Sequence, residues 1–293
     1  MENKLSFRRQ ATLLQETYQT LYSRFRAVHT SVRSHRERPV NTELVENIRA
    51  IKARKPTWGV RRVTAWLRNK LGLSVGRKQV ARIMRQEKLL CPRVKKREHR
   101  NIRPRLTATR INQLWATDMT SFMLSYGVTL YLVLVEDIFT RRIVGWNLST
   151  RCRAQEWIAA LDQALLSEFP DGSRGQNLTL RMDNGCQPTS RRFQDVLSTG
   201  QITGEWTGYN CPEQNAHIES LIGTLKQDWL WLDECDSFND AQTLCARAVY
   251  EYNSEHPHSA LGMWCPIEFT NLVLKGLVTV NSNNTLVFTL NVA

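Results

Sequence analysis

The charge of this chain is divided so unevenly along its length that no single evenly mixed surface can account for it. Residues 1–110 hold 29 lysines and arginines against 7 acids, a net of +22, whereas residues 111–293 hold 11 against 20, a net of −9. A region that basic either repels itself as a solvated surface or lies against a polyanion, and double-stranded DNA or RNA is the default partner. The other classes recede. The clearest apolar run, Leu130 to Val135, has six residues, where a membrane span needs roughly 20. MENKLSFRRQ lacks the apolar stretch of a secretory signal. Seven cysteines contain no CxxC pair, and His29, His35 and Cys91 lack zinc spacing. The expectation is a cytoplasmic protein with free thiols in a reducing compartment and no membrane partner.

The 293 residues allow one large domain or two to three smaller ones. Residues 1–41 read as a basic segment with an amphipathic helix over 10–28. Residues 42–90 read as a three-helix, helix-turn-helix-like DNA-binding domain. Thr42 is its expected first cap, and Glu43 and Glu46 suit the helix dipole. Its third helix turns Val80, Ile83 and Met84 inward. Arg77, Lys78, Arg82 and Arg85 fill the cationic remainder, which suits a major-groove reader; a plain bundle with a solvated basic face fits the spacing equally well. Residues 91–110 form a basic linker with eight lysines and arginines, including Lys95, Lys96 and Arg97, against one acid.

From 111 the pattern changes to a mixed α/β layer. Strands are expected at 114–120, 129–136, 143–148, 177–182 and 201–203. Helices are expected at 154–169, 191–198, 215–232 and 240–252. This core runs over 111–265, and the tail, 266–293, reads as a possible hairpin.

Three acids within the core can carry chemistry. Asp118 lies in the first strand, Asp183 ends the fourth, and Glu219 sits on the helix that follows the Gly204–Gly208 loop. Each has a bland reading: an edge position, an Asx-Gly turn and a solvated helix face. Together they have the make-up of a carboxylate set for divalent ions about 3.5–4 Å apart, which can clamp both oxygens of a phosphodiester. Hard Mg²⁺ prefers such oxygen ligands. Asn215, Glu219, Gly223 and Lys226 form one helical stripe. Gly223 costs about 1 kcal/mol relative to alanine, so close approach of a substrate backbone would explain it, and Lys226 is placed to hold a DNA phosphate.

These motifs resemble the second-frame (OrfB) part of bacterial insertion-sequence transposases of the IS-three type, relatives of retroviral integrases. Trp115, Asp118 and Thr120 match a Trp-x-x-Asp-x-Thr strand. Asp183, Gly185 and Gln187 match Asp-x-Gly-x-Gln. Asn215, Ala216, Glu219, Ser220 and Lys226 match Asn-Ala-x-x-Glu-Ser with its later lysine. Tyr252, Asn253, Pro257, His258, Leu261 and Gly262 match the closing Tyr-Asn…Pro-His-x-x-Leu-Gly segment. Thirty-five residues separate Asp183 from Glu219. Cys186, Gln214 and His256 depart from the usual hydroxyl residue, Asp and Arg.

The resemblance runs over about 43–270. It implies a ribonuclease-H-like core, with Asp118, Asp183 and Glu219 as catalytic metal ligands for two Mg²⁺ ions (Mn²⁺ as substitute). It implies Lys226 at the DNA, cleavage and strand transfer at terminal inverted repeats and target DNA, and a homo-oligomer on DNA. A first-frame OrfA partner or fusion also belongs to that pattern. Two rival readings stay open: a catalytically inactive, transposase-derived DNA-binding protein, and a structure-selective nuclease of the same fold. A glycosidase reading of the acids leaves the basic front unexplained.

Overall fold

A computed structural model of the chain describes residues 41–91, 108–208, 215–281 and 286–289, with Leu14, Thr17, Gln19 and Thr20. The amphipathic helix expected over 10–28 falls outside the described residues apart from those four, as do Lys95, Lys96 and Arg97 of the linker. The chain divides into two compact units, Met1–Val45 and Glu46–Ala293. In the first, Asn41 accepts a hydrogen bond from the backbone N–H of Leu44 at 3.2 Å. Asn41 therefore takes the capping role expected of Thr42, which is already helical.

The second unit starts within helix α1 (Thr42–Arg54) and continues through α2 (Val60–Asn69) and α3 (Arg77–Gln86). Ile48, Val63, Leu67, Val80, Ile83 and Met84 are buried among these helices. They recur at the three- and four-residue spacing that gives a helix one apolar face. Arg49 and Glu87 join α1 to α3 in a 2.6 Å ion pair.

The sheet follows, with β1 (Leu114–Met123), β2 (Thr129–Asp137), β3 (Ile143–Ser149), β4 (Thr179–Met182) and β5 (Thr203–Trp206) in the order β3-β2-β1-β4-β5. β1, β2 and β3 form an antiparallel meander, and β4 and β5 add in parallel beside β1. Strict alternation divides the side chains between two cores. Leu114, Ala116, Leu130, Leu132 and Leu134 face one way. There they meet α6 (Ala216–Leu225), α7 (Phe238–Glu255) and α8 (Pro266–Leu274). Trp115, Val133 and Val135 face the other way, toward α4 (Ala154–Glu168) and α5 (Arg191–Thr199). This mixed sheet with helices on both faces is the ribonuclease-H-like arrangement.

Several element bounds differ from expectation: β1 runs on to Met123, and β4 starts at Thr179 rather than 177. β5 begins at Thr203 rather than 201, because Gln201 turns at φ 52° before the strand starts. The tail contains helix α8 as well as the hairpin of β6 (Val278–Val280) and β7 (Leu286–Phe288). Pro266 at the first turn and Glu268, whose side chain accepts from the N–H of Cys265, start α8. Edge strand β3 is closed by Asn253 of α7, whose amide both accepts from and donates to the backbone of Ile143 at 2.9 Å. No helix among the described residues is long and apolar enough to cross a membrane.

Gly145 on β3 is where the sheet and α4 meet most tightly. A methyl group there would lie 2.3 Å from the carbonyl oxygen of Ala160 and 2.7 Å from the Cβ of Ala164. Overpacking of this kind costs about 1–3 kcal/mol. Gly145→Ala should lower the thermal midpoint by several degrees, and an unchanged melting curve would show that α4 sits further off.

Candidate active site

Strand register assembles the site. β1 pairs with β4 in parallel at Leu114–Thr179, Trp115–Leu180 and Ala116–Arg181. Carried two residues past the last of these pairs, the same offset would set Asp183, the first residue after β4, level with Asp118, where paired strands run about 5 Å apart. Parity gives both the same face. Asp118 follows Leu114 and Ala116, which point toward α6, and Asp183 alternates with Leu180 and Met182, which point toward α4 and α5. α6 packs on β1 from that face and carries Glu219.

Asp118 is half-buried and accepts from the N–H of Met119 at 2.7 Å. Burial pushes its pKa up to about 6, and the negative charges of Asp183 and Glu219 push the same way against the Met119 bond. That repulsion places all three acids in one electrostatic neighbourhood. Asp183 accepts from the N–H of Gly185 at 3.1 Å, so it serves the Asx-Gly turn as well as facing Asp118. Among the described residues, no three histidine, cysteine, aspartate or glutamate side chains are gathered tightly enough to hold one metal ion. The acids are neighbours that repel, on three separate elements, and do not form a closed ligand set.

A brace surrounds them that the sequence did not announce. Gln187, four residues after Asp183, donates to the sulfur of Cys152 at 2.9 Å. That sulfur lies 3.4 Å from the sulfur of Met119, next to Asp118. Gln187 was visible as a motif position; a lone cysteine and a methionine carried no signal.

Comparison with known proteins supplies the family. An HTH-like domain matches residues 39–97, and integrase core domains match 108–208 and 201–266. The Escherichia coli (strain K12) transposase InsD for insertion element IS2D is 30% identical over 245 residues, covering 78% of this chain and 78% of that protein. The chain belongs to the IS-three family of insertion-sequence transposases. The InsK protein of insertion sequence element IS150 from the same organism is 29% identical over 226 residues, covering 73% of this chain and 77% of its own. Among solved structures, a simian T-cell lymphotropic virus intasome chain aligns with TM-score 0.46 and 16% identity, over 76% of this chain and 74% of that one. The catalytic core domain of HTLV-2 integrase aligns with TM-score 0.43 and 18% identity, over 54% and 96%.

The transposase is thus an enzyme of the integrase-core, DDE class with a helix-turn-helix-like front. On α3, Arg77, Lys78 and Arg85 are exposed and Arg82 is half-buried. No partner binds the Arg82 Nε. Asn215 is buried at the start of α6, and its Oδ1 has no partner. Lys226 follows the last residue of α6, with its ammonium 5.9 Å from the centre of the Trp231 ring. A methyl group at Gly223 would meet nothing within 4 Å, so that stripe of α6 is open.

The raised pKa of Asp118 gives a pH signature in metal-free protein. Folding favours its protonated form, so this stability is present below the ordinary value of 3.8 and is lost as pH rises through about 6. In EDTA, Asp118→Asn should melt a few degrees (~3–6 °C) above the wild type at pH 7.5. The gap should close as pH falls toward 4. Equal midpoints at both pH values would show that the three carboxylates do not repel as described.

Proposed function

We propose that the transposase cuts and joins DNA strands at the ends of its insertion sequence by metal-dependent phosphoryl transfer. The observation that carries this reading is the β1–β4 register, which sets Asp183 level with Asp118 beneath the helix that bears Glu219. Repelling carboxylates beside one another on a half-open surface suit a cation. The donor set fits a hard one: every candidate ligand atom is a carboxylate oxygen, which favours Mg²⁺, with Mn²⁺ as substitute, over softer metals. Asp118, Asp183 and Glu219 would hold two such ions. Glu219 is exposed on α6, and its carboxylate would have to turn toward the pair on the strands.

Bound ions supply charge neutralisation at the phosphodiester and a lowered pKa for the attacking water or hydroxyl. The chain's own residues do the rest. Gly185 and Met119 fix the carboxylates of Asp183 and Asp118 through backbone N–H groups. Lys226 and Asn215 stand on the Glu219 stripe, where a DNA phosphate would lie. Arg77, Lys78, Arg82 and Arg85 would carry the duplex on α3, and Lys95, Lys96 and Arg97 would follow its backbone. In cleavage, a water oxygen attacks phosphorus in line and the bond to the 3′ oxygen breaks, leaving a 3′-hydroxyl and a 5′-phosphate. In joining, that 3′-hydroxyl attacks a target phosphodiester and displaces its 3′ oxygen. Two DNA ends call for a homo-oligomer, with a first-frame OrfA partner or fusion, working in the cytoplasm at the nucleoid.

Asp183→Asn should reduce Mg²⁺-dependent cleavage of element-end DNA by at least three orders of magnitude while DNA affinity stays within about twofold. Retained cleavage would remove Asp183 from the chemistry. Lys78→Ala and Arg82→Ala should each weaken DNA binding by about 1 kcal/mol or more; unchanged affinity would move the reading helix elsewhere.

A further inference from the structure

The closing Tyr-Asn…Pro-His segment plays no part in the carboxylate chemistry, yet it builds a pocket of about 350 Å³ against the back of the catalytic helix. Arg61 and Arg62 of α2 and Arg141 of the β2–β3 turn line it, together with Glu136, His256 and His258. Ser220, Leu221 and Thr224 of α6 form its wall. Ser220 is the residue after Glu219, about 100° further round the helix.

The charge of the pocket is unbalanced. Arg61, Arg62 and Arg141 have no ion pair and no side-chain hydrogen bond among the described residues. Arg61 is exposed, and Arg62 and Arg141 are half-buried, so all three guanidinium groups are open to a ligand. The histidines do not offset them by changing state, since they are held neutral. Burial and the charge of Arg62 hold His256 well below its usual pKa, and burial with Arg62 and Arg141 brings His258 down to about 3.

Two buried polar atoms on the same lining also lack partners, Glu136 Oε2 and His258 Nε2, whereas His256 Nδ1 faces Asp228 at 3.6 Å. Glu136 is only 1% exposed. Such orphans are uncommon in native proteins and each calls for a partner. Burial pushes Glu136 up to about 7, against the opposing pull of the Arg141 charge. Arg141 is held in place by a left-handed backbone at φ 60°, with its N–H on the carbonyl of Asp137 at 2.8 Å.

Three unpaired guanidinium groups, neutral imidazoles and rim hydroxyls suit a phosphate group. We propose that this pocket is a second phosphate-binding site, which takes a phosphodiester of the DNA strand running past the catalytic helix. A phosphate there would touch α2, the β2–β3 turn and α6 together. It would fix DNA against the helical front and the Glu219 helix at once, on the side of α6 away from the carboxylates. The inference goes beyond the metal chemistry and does not depend on it.

The test therefore runs in EDTA, where cleavage plays no part. Full-length wild type, Arg62→Gln, Arg141→Gln and Ser259→Asp are titrated onto a short duplex over a range of salt concentrations. Each lost phosphate contact should lower the slope of log affinity against log salt by about one. Arg62→Gln and Arg141→Gln are expected to do this, and Arg247→Gln, an exposed residue paired with Asp233, is not. Ser259→Asp adds a negative charge on the exposed rim without removing a contact. It should weaken binding even if the arginine variants fold poorly, which circular dichroism will reveal.

The second arm uses inorganic phosphate. It should raise the melting temperature of the wild type and compete with DNA, but leave Ser259→Asp unprotected. Protection by inorganic phosphate with coincident salt slopes would overturn the DNA assignment in favour of a free phosphate ligand. Coincident slopes without protection would overturn the site altogether.

Discussion

The parallel pairing of β1 with β4 is the constraint on which the site depends. Only three residue pairs define it, Leu114–Thr179, Trp115–Leu180 and Ala116–Arg181. Their offset brings together two aspartates that are 65 residues apart in the chain. A slip of one residue would send Asp183 to the α4 and α5 face, since successive strand side chains alternate. The register is held by what lies beneath: Leu180 and Met182 are fully buried in the second core, and Leu114 and Ala116 in the first. Thus the two hydrophobic layers, with no help from the acids, decide where the carboxylates go. The acids repel, and the packing overrides that repulsion.

Much of this was legible in the sequence because it rests on periodicity. Leu130, Leu132 and Leu134 alternate with Tyr131, Val133 and Val135, so a strand with two apolar faces was readable, as was the order of strands and helices around it. Singly, Asp118 in a strand, Asp183 at a strand end and Glu219 on a helix face each had a bland reading; the three were found because together they make a carboxylate set and match the transposase motifs. Their mutual nearness was not readable, because it depends on the β1–β4 offset. The pocket behind α6 was hidden for the same reason. Arg61, Glu136, Arg141 and His256 come from four elements, and no local pattern links them. His256 looked like a lost arginine before Pro257. In the fold it stacks on Tyr252 at 5.4 Å and is buried.

The end of the tail was under-read for a different cause. Residues 266–274 are only modestly amphipathic, so the two apolar runs around Asn281 drew attention to a hairpin and away from a helix. What starts α8 is local chemistry: a proline in its first turn, where no backbone N–H is needed, and a glutamate reaching back to Cys265. Phe269 then sets the helix in the first core by packing against Phe139 at 5.6 Å.

The helical front is fastened to the core just beyond α6, through a change of winding. An ordinary helix was expected to run to 232. Instead α6 ends at Leu225, and Lys226–Leu230 form a π-turn whose signature is the bond from the N–H of Trp231 to the carbonyl of Lys226 at 2.9 Å. The wider turn buries three consecutive residues, Asp228, Trp229 and Leu230, which a continuing α-helix would have spread round its circumference. Asp228 reaches the hydroxyl of Thr57 and, at 3.1 Å, the indole of Trp58. Trp229 donates to Glu251 at 2.9 Å and lies under the ammonium of Lys55 at 3.7 Å. Lys55 completes the clasp on Glu251 at 2.5 Å. Turns of this type recur at functional sites, and here the reason is mechanical. The acid-bearing helix and the loop between α1 and α2 share one buried polar cluster. Any displacement of the DNA-reading helices must therefore either break that cluster or carry Glu219 with it.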